Sequence, residues 1–173
     1  MNTELTRFLH ARLDEDDRIA RAAMRLPGGV PGEQWRVSGS HSDAGGTYWS
    51  ITNASSDIDR VPTLEMVGSG MSGGGAHTED VATHIAAHDP ARVLREIEAK
   101  RKLLDDHPIV PRDVEPTVIN GEEIGGPYYP FGCGNCHTEP DSPEVNGFGY
   151  CLTWRVLASV YADRPGYREA WRP

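Results

Sequence analysis

Apolar residues in the stretch 3–25 recur at Leu5, Phe8, Leu9, Leu13, Ile19, Ala20 and Met24, the spacing of a helix with one buried stripe. Thr3 stands where an N-cap is needed, Glu4 suits the positive end of the helix dipole, and Pro27, Gly28 and Gly29 end the pattern. From Trp35 to Val67 the period shortens. WRVSG, TYWSITN and TLEMVG are β-branched or aromatic runs separated by Gly, Ser, Asp and Pro, and they predict a small antiparallel sheet over 35–67. In the middle run, Tyr48, Ser50 and Thr52 share one face and Trp49, Ile51 and Asn53 the other, so one face can cover helices.

Helical spacing returns after Thr78, a second N-cap candidate, and Asp89-Pro90 breaks it. Asp as a cap and Pro as a first helical residue start a new helix well, so 79–106 reads as a broken helix. Its second half carries an apolar stripe of Val93, Leu94, Ile97 and Leu104. Exposed pairs are expected from Asp14 to Arg18, Asp17 to Arg21, Glu96 to Lys100 and Glu98 to Lys102. Residues 108–132 hold Pro108, Pro111, Pro116, Pro127 and Pro130 among glycines, which predicts an irregular crossing with at most a short strand at TVIN. LTWRVLASVYA restores a helix, with Leu152, Val156, Leu157 and Val160 as its apolar set, and Tyr167 and Trp171 in the tail are expected to pack back onto the body.

These elements describe an α+β domain in which an N-terminal helix and a broken central helix pack with a small antiparallel sheet. A length of 173 residues suits one core, so 1–173 is expected to be a single domain. Lys and Arg number 17 against 26 Asp and Glu, a formal charge of -9 with no basic stripe, which argues against nucleic acid as a partner. The N-terminus lacks the features of a secretory signal and no apolar run is long enough to span a bilayer, so a cytoplasmic protein without membrane association is expected.

All three cysteines lie in CGNCHTEPDSPEVNGFGYC, residues 133–151. Cys133 and Cys136 offer two thiolates from one tight turn, and Cys151 supplies a third. Tetrahedral zinc takes four ligands. His107, at the end of the long helix, is preferred as the fourth over His137, whose place beside Cys136 would strain the turn, with His84, His88 or a water as further alternatives. A structural zinc ion stapling the C-terminal helix is therefore expected. CGNCH also spells the haem-attachment motif, and CxxC can be redox-active, but the first accompanies export and the second wants a βαβ context. GSGMSGGG contains GxGxxG through Gly68, Gly70 and Gly73, yet no helix follows at once and no acidic strand end follows at the required distance.

Advancing about 100° per residue places Arg12 and Asp16 within the apolar arc of the first helix, and Arg101 between Ile97 and Leu104. His84 and His88 stand one turn apart beside Val81 and Ile85; the zincin pattern would need Glu where Ile85 stands. Arg12, Asp16, His84, His88 and Arg101 form a candidate ligand set, suited if they converge to a small anionic ligand. A margin of packed, snorkelling side chains gives the same pattern.

FLHARLDEDDRIARAA, HIAAHDPARVLREIEAKRKLLDDH and LASVYADRPGYREAWRP resemble an uncharacterised family of small proteins from actinobacteria and their phages, a domain of unknown function. The resemblance implies such an origin and a cytoplasmic protein, and brings with it no activity, cofactor or catalytic residue. The sequence reading is a zinc-stabilised binding or regulatory protein whose partner is a protein or small anionic ligand, with a homodimer left open. The alternative is a small hydrolase-like enzyme working through the inward Arg, Asp and His set.

Overall fold

The computed structural model describes residues 3–25, 32–43, 46–54, 76–111, 117–119, 122–124, 131–136 and 149–173. It is an α+β structure whose contacts gather into two compact units. One comprises residues 1–13 and 98–173, the other residues 14–97, so two helices run through both. The TLEMVG run, the GSGMSGGG stretch and His137 lie outside the described residues. Among the described residues no helix is long and apolar enough to cross a membrane.

Helix α1 (Glu4–Ala23) begins as its sequence predicts, with the Thr3 hydroxyl accepting from the Thr6 N–H. A further N–H of the first turn, on Leu5, donates to the Tyr150 hydroxyl at 3.3 Å. Leu5, Phe8, Leu9, Leu13 and Ala20 are buried, whereas Ile19, expected among them, is 48% exposed. Strands β1 (Trp35–Asp43) and β2 (Gly46–Asn53) pair antiparallel with a bulge between Val37 and Gly39, where Gly39 takes a φ of 134°. Ala76 extends the sheet by one bridge, exchanging both backbone hydrogen bonds with Trp49.

Helix α2 (Glu79–Ala87) is capped by Thr78, whose hydroxyl accepts from the Val81 N–H. Ala82 is packed with Ile51 and Ala76, and Trp35, Val37, Trp49, Ile85 and Ala86 close around them. The Trp49/Ile51 face of β2 is thus the one that meets the helix. Helix α3 (Pro90–Asp106) starts on Asp89, whose carboxylate accepts from the Arg92 N–H at 2.7 Å and from the Trp35 N–H at 3.4 Å. One side chain therefore caps the helix and ties it to the start of β1. Ile97 and Leu104 are buried, while Val93 and Leu94 are half-buried. Arg21 pairs with Asp17 and Lys102 with Glu98, but Glu96 turns back to Arg92 at 2.8 Å, and Lys100 sits over the Tyr161 ring.

The crossing after α3 contains more strand than its composition suggests. β3 (Ile109–Pro111) pairs with β6 (Phe131–Cys133), and β4 (Thr117–Ile119) pairs with β5 (Glu122–Ile124), both antiparallel. β4 is the short strand expected at TVIN; β3, β5 and β6, also of three residues, are too short for alternation to reveal them.

Helix α4 (Leu152–Ser159) corrects the expected apolar face. Leu152, Val156 and Val160 are 52%, 46% and 60% exposed, while Trp154, Ala158 and Tyr161 are buried. Cys151, Trp154, Ala158 and Tyr161 follow helical spacing, so the rotation of α4 follows the side on which Cys151 is anchored. The chain then folds back as expected. Trp171, in a short 3-10 turn (Glu169–Trp171), lies 5.2 Å from the Phe8 ring centre, and Tyr161 and Tyr167 meet the same ring edge-on. Gly166, at a φ of 91°, lets the backbone turn over the Phe8 ring.

Candidate metal centre

The four residues His107, Cys133, Cys136 and Cys151 are brought together by the end of one helix, a two-stranded turn and the start of another helix. α3 ends at Asp106, and Pro108 prevents its continuation, so His107, its N–H bonded to the Leu104 carbonyl, follows directly on the last turn. The β3–β6 pair sets Ile109 opposite Cys133 and thereby carries the Cys133–Cys136 turn back to the helix end. There the Gly134 N–H donates to the Pro108 carbonyl at 2.7 Å, and the Asn135 amide donates to the Asp106 carbonyl, satisfying backbone acceptors at the helix terminus. Cys151 is the N-cap residue of α4 but makes no side-chain capping bond, which leaves its sulfur for the cluster. Here Gly149, at a φ of 77°, donates to the Phe131 carbonyl and returns the chain toward β6.

The donor atoms of these residues lie within 4.8 Å of one another. His107 Nδ1 is 3.2 Å from Cys136 Sγ, 3.5 Å from Cys133 Sγ and 3.8 Å from Cys151 Sγ. A tetrahedral ion with a nitrogen at about 2.0 Å and sulfurs at about 2.3 Å sets nitrogen and sulfur ligands roughly 3.6 Å apart. The observed distances scatter about that value. Three soft thiols and one imidazole therefore have both the donor chemistry and the spacing to hold a metal ion.

The electrostatics point the same way. None of the three cysteines is in a disulfide, and Cys133 and Cys151 are buried. Burial pushes the Cys136 thiol up to about 12, reinforced by its hydrogen bond to Cys133 and the neighbouring charge of Cys151. Burial also acts to raise Cys133, but the backbone N–H groups of Cys136 and Asn135, with His107, outweigh it and bring the thiol to about 7. Sulfurs so close cannot all ionise without a cation among them.

Around this set stand partners that the spacing of cysteines does not disclose. His107 Nε2 is 3.5 Å from the Thr153 hydroxyl, and the Trp154 indole N–H donates to the His107 carbonyl at 2.7 Å. Both lie in the first turn of α4, so the helix that begins at one cysteine also fixes the orientation of the histidine. Only their position two and three residues after Cys151, on a helix, hinted at such a role.

The other candidate set divides. Arg12 and Arg101 are half-buried in the first unit; Asp16, His84 and His88 belong to the second. Asp16 and His88 line a cleft of about 220 Å³ with Ile19, Ala20, Ala23, Trp35, Pro90 and Val93, an apolar surface carrying one carboxylate and one imidazole. His84 is exposed, its ring centre 4.2 Å from that of His88. Trp35, Pro90 and Val93 were not foreseen as parts of this surface, because their juxtaposition depends on the Asp89 tie between β1 and α3.

No curated protein and no solved structure matches the chain. A family match spans residues 2–173, so all four residues that could hold a metal ion fall inside it. The chain belongs to the family described as "Family of unknown function (DUF6221)".

Proposed function

We propose that the protein is a zinc-stabilised binding or regulatory protein. The carrying observation is the set of distances from His107 Nδ1 to three sulfurs, 3.2, 3.5 and 3.8 Å, which suits one tetrahedral ion. Four protein ligands close the coordination sphere and leave no position for substrate, so the ion is structural. It holds the end of α3, the β3–β6 pair and the start of α4 together. His107, Cys133, Cys136 and Cys151 would hold zinc; the ion itself supplies folding energy. A cytoplasmic setting suits three cysteines that form no disulfide.

Binding is assigned to the cleft, whose apolar walls suit a small ligand with a polar group for Asp16 and His88. The same carboxylate and imidazole support a second reading, a hydrolase-like enzyme in which Asp16 and His88, the polar groups among the described lining residues, would act as nucleophile or base.

Elemental analysis of freshly purified protein tests the zinc. One equivalent per chain is expected, lost in Cys133→Ser. Less than about half an equivalent in the wild type, or zinc retained by Cys133→Ser, would refute the assignment. For the cleft, a thermal-shift screen of small carboxylates and phosphates should give a shift that Asp16→Ala and His88→Ala abolish without unfolding the protein. Turnover of chromogenic esters or phosphates, lost in those variants, would favour the enzyme instead.

A further inference from the structure

We propose that His84 and His88 form a second metal site, separate from the cysteine cluster, which takes a late first-row divalent ion through two imidazoles. Residues four apart on a helix face the same way, and here both rings are exposed and stand with centres 4.2 Å apart, tilted by 40°. Two imidazoles sharing one ion place their ring centres roughly 4.5 to 5 Å apart, so a small rotation of either side chain suffices.

The second observation concerns the protons. His88 Nδ1 lies 2.7 Å from the His84 carbonyl oxygen. A carbonyl can only accept, so Nδ1 carries a hydrogen, and Nε2 is the ring nitrogen left to face an ion. A backbone carbonyl holding the far N–H of a ring is the arrangement that prepares histidines for ligation. The two residues also occupy the last turn and C-cap of α2, the negative end of the helix dipole, which favours positive charge. Arg92, whose guanidinium reaches the Ala87 carbonyl, is paired with Glu96 at 2.8 Å and so presents a partly neutralised charge to an incoming ion.

Two protein ligands leave the remaining positions of the ion to water or another donor. Because His88 also lines the cleft beside Asp16, a bound ion would stand at the margin of that surface with exchangeable positions. Imidazole suits Zn2+, Ni2+ and Cu2+; Ni2+ is the probe of choice because it does not oxidise thiols.

The test is calorimetric titration of the full-length protein, loaded with one zinc and freed of excess metal, with Ni2+, while a chromophoric chelator reports zinc release. One additional Ni2+ per chain is expected at micromolar concentration with the zinc retained. His84→Ala and His88→Ala should each weaken it by roughly tenfold or more, and His10→Ala should leave it unchanged. Circular dichroism confirms that these exposed substitutions keep the helices. Unchanged binding in the double variant, Ni2+ entering only as zinc leaves, or no binding below about 1 mM would overturn the assignment.

Discussion

Replacing Cys151 by serine separates two roles that meet at one residue. Cys151 starts α4 as its N-cap but contributes no side-chain capping bond, and its sulfur lies 3.8 Å from His107 Nδ1. Serine is among the best N-caps, worth about 1 kcal/mol over residues that cannot accept from the helix. Considered as a helix start alone, Cys151→Ser is therefore neutral or slightly stabilising. Considered as a metal ligand, it removes one of four donors. Zinc present at about 1,000 times its Kd stabilises the folded state by about 4.1 kcal/mol, and a 100-fold weaker site forfeits about 2.7 kcal/mol of that. For a chain of this size about 1 kcal/mol moves Tm by roughly 2 to 4 °C, so a loss of about 5 to 11 °C is expected in zinc. The assay is thermal unfolding of wild type and variant, each in zinc and in a strong chelator. The gap should open in zinc and close in chelator. A variant within about 2 °C of wild type in zinc, or a gap of equal size in both conditions, would refute the metal argument and leave the cysteine a packing residue.

Three further outcomes follow from the packing. Trp171→Ala removes the ring that lies 5.2 Å from Phe8 and should lower stability by about 3 to 5 kcal/mol in denaturant unfolding, the range for large aromatic deletions from a core. Asp89→Ala deletes the acceptor for the Arg92 and Trp35 N–H groups and should destabilise by about 1 to 2 kcal/mol, with faster amide exchange at both N–H groups. Gly134→Ala would bring a Cβ to 3.0 Å from the Pro108 ring, so the ring or the Cys133–Cys136 turn must give by a few tenths of an ångström, and a competition titration should show weaker zinc retention than in the wild type.

The legible parts of the chain were those where a local rule speaks. Thr3, Thr78 and Asp89 read as caps and act as caps, because a hydroxyl or carboxylate beside an unpaired N–H needs no distant partner. Tyr167 and Trp171 read as side chains that fold back, because burying large aromatic surface is favourable wherever a partner is found. His107 was legible as the fourth member of the cluster because three cysteines leave one tetrahedral position to fill and the Pro-rich segment lets the chain return to the end of the long helix. The three-residue strands β3 and β6 were not, since their pairing is set by the Gly134 to Pro108 and Asn135 to Asp106 bonds rather than by alternation.

What belonged to the sequence alone was the set of donors, the caps and the order of the helices, all governed by residue type and short spacing. Tertiary structure alone decided which face of a helix is inside. In α4, Leu152, Val156, Leu157 and Val160 look like the core stripe, yet Leu157 is only half-buried, the other three are exposed, and Trp154, Ala158 and Tyr161 are the residues buried. Either face is apolar enough to be covered, so hydrophobicity cannot choose between them. The choice is made where Cys151 meets His107 and the Trp154 indole meets the His107 carbonyl, two long-range contacts that set the helix's rotation. The cleft beside Asp16 and His88 has the same origin, a surface assembled when the Asp89 carboxylate ties β1 to α3.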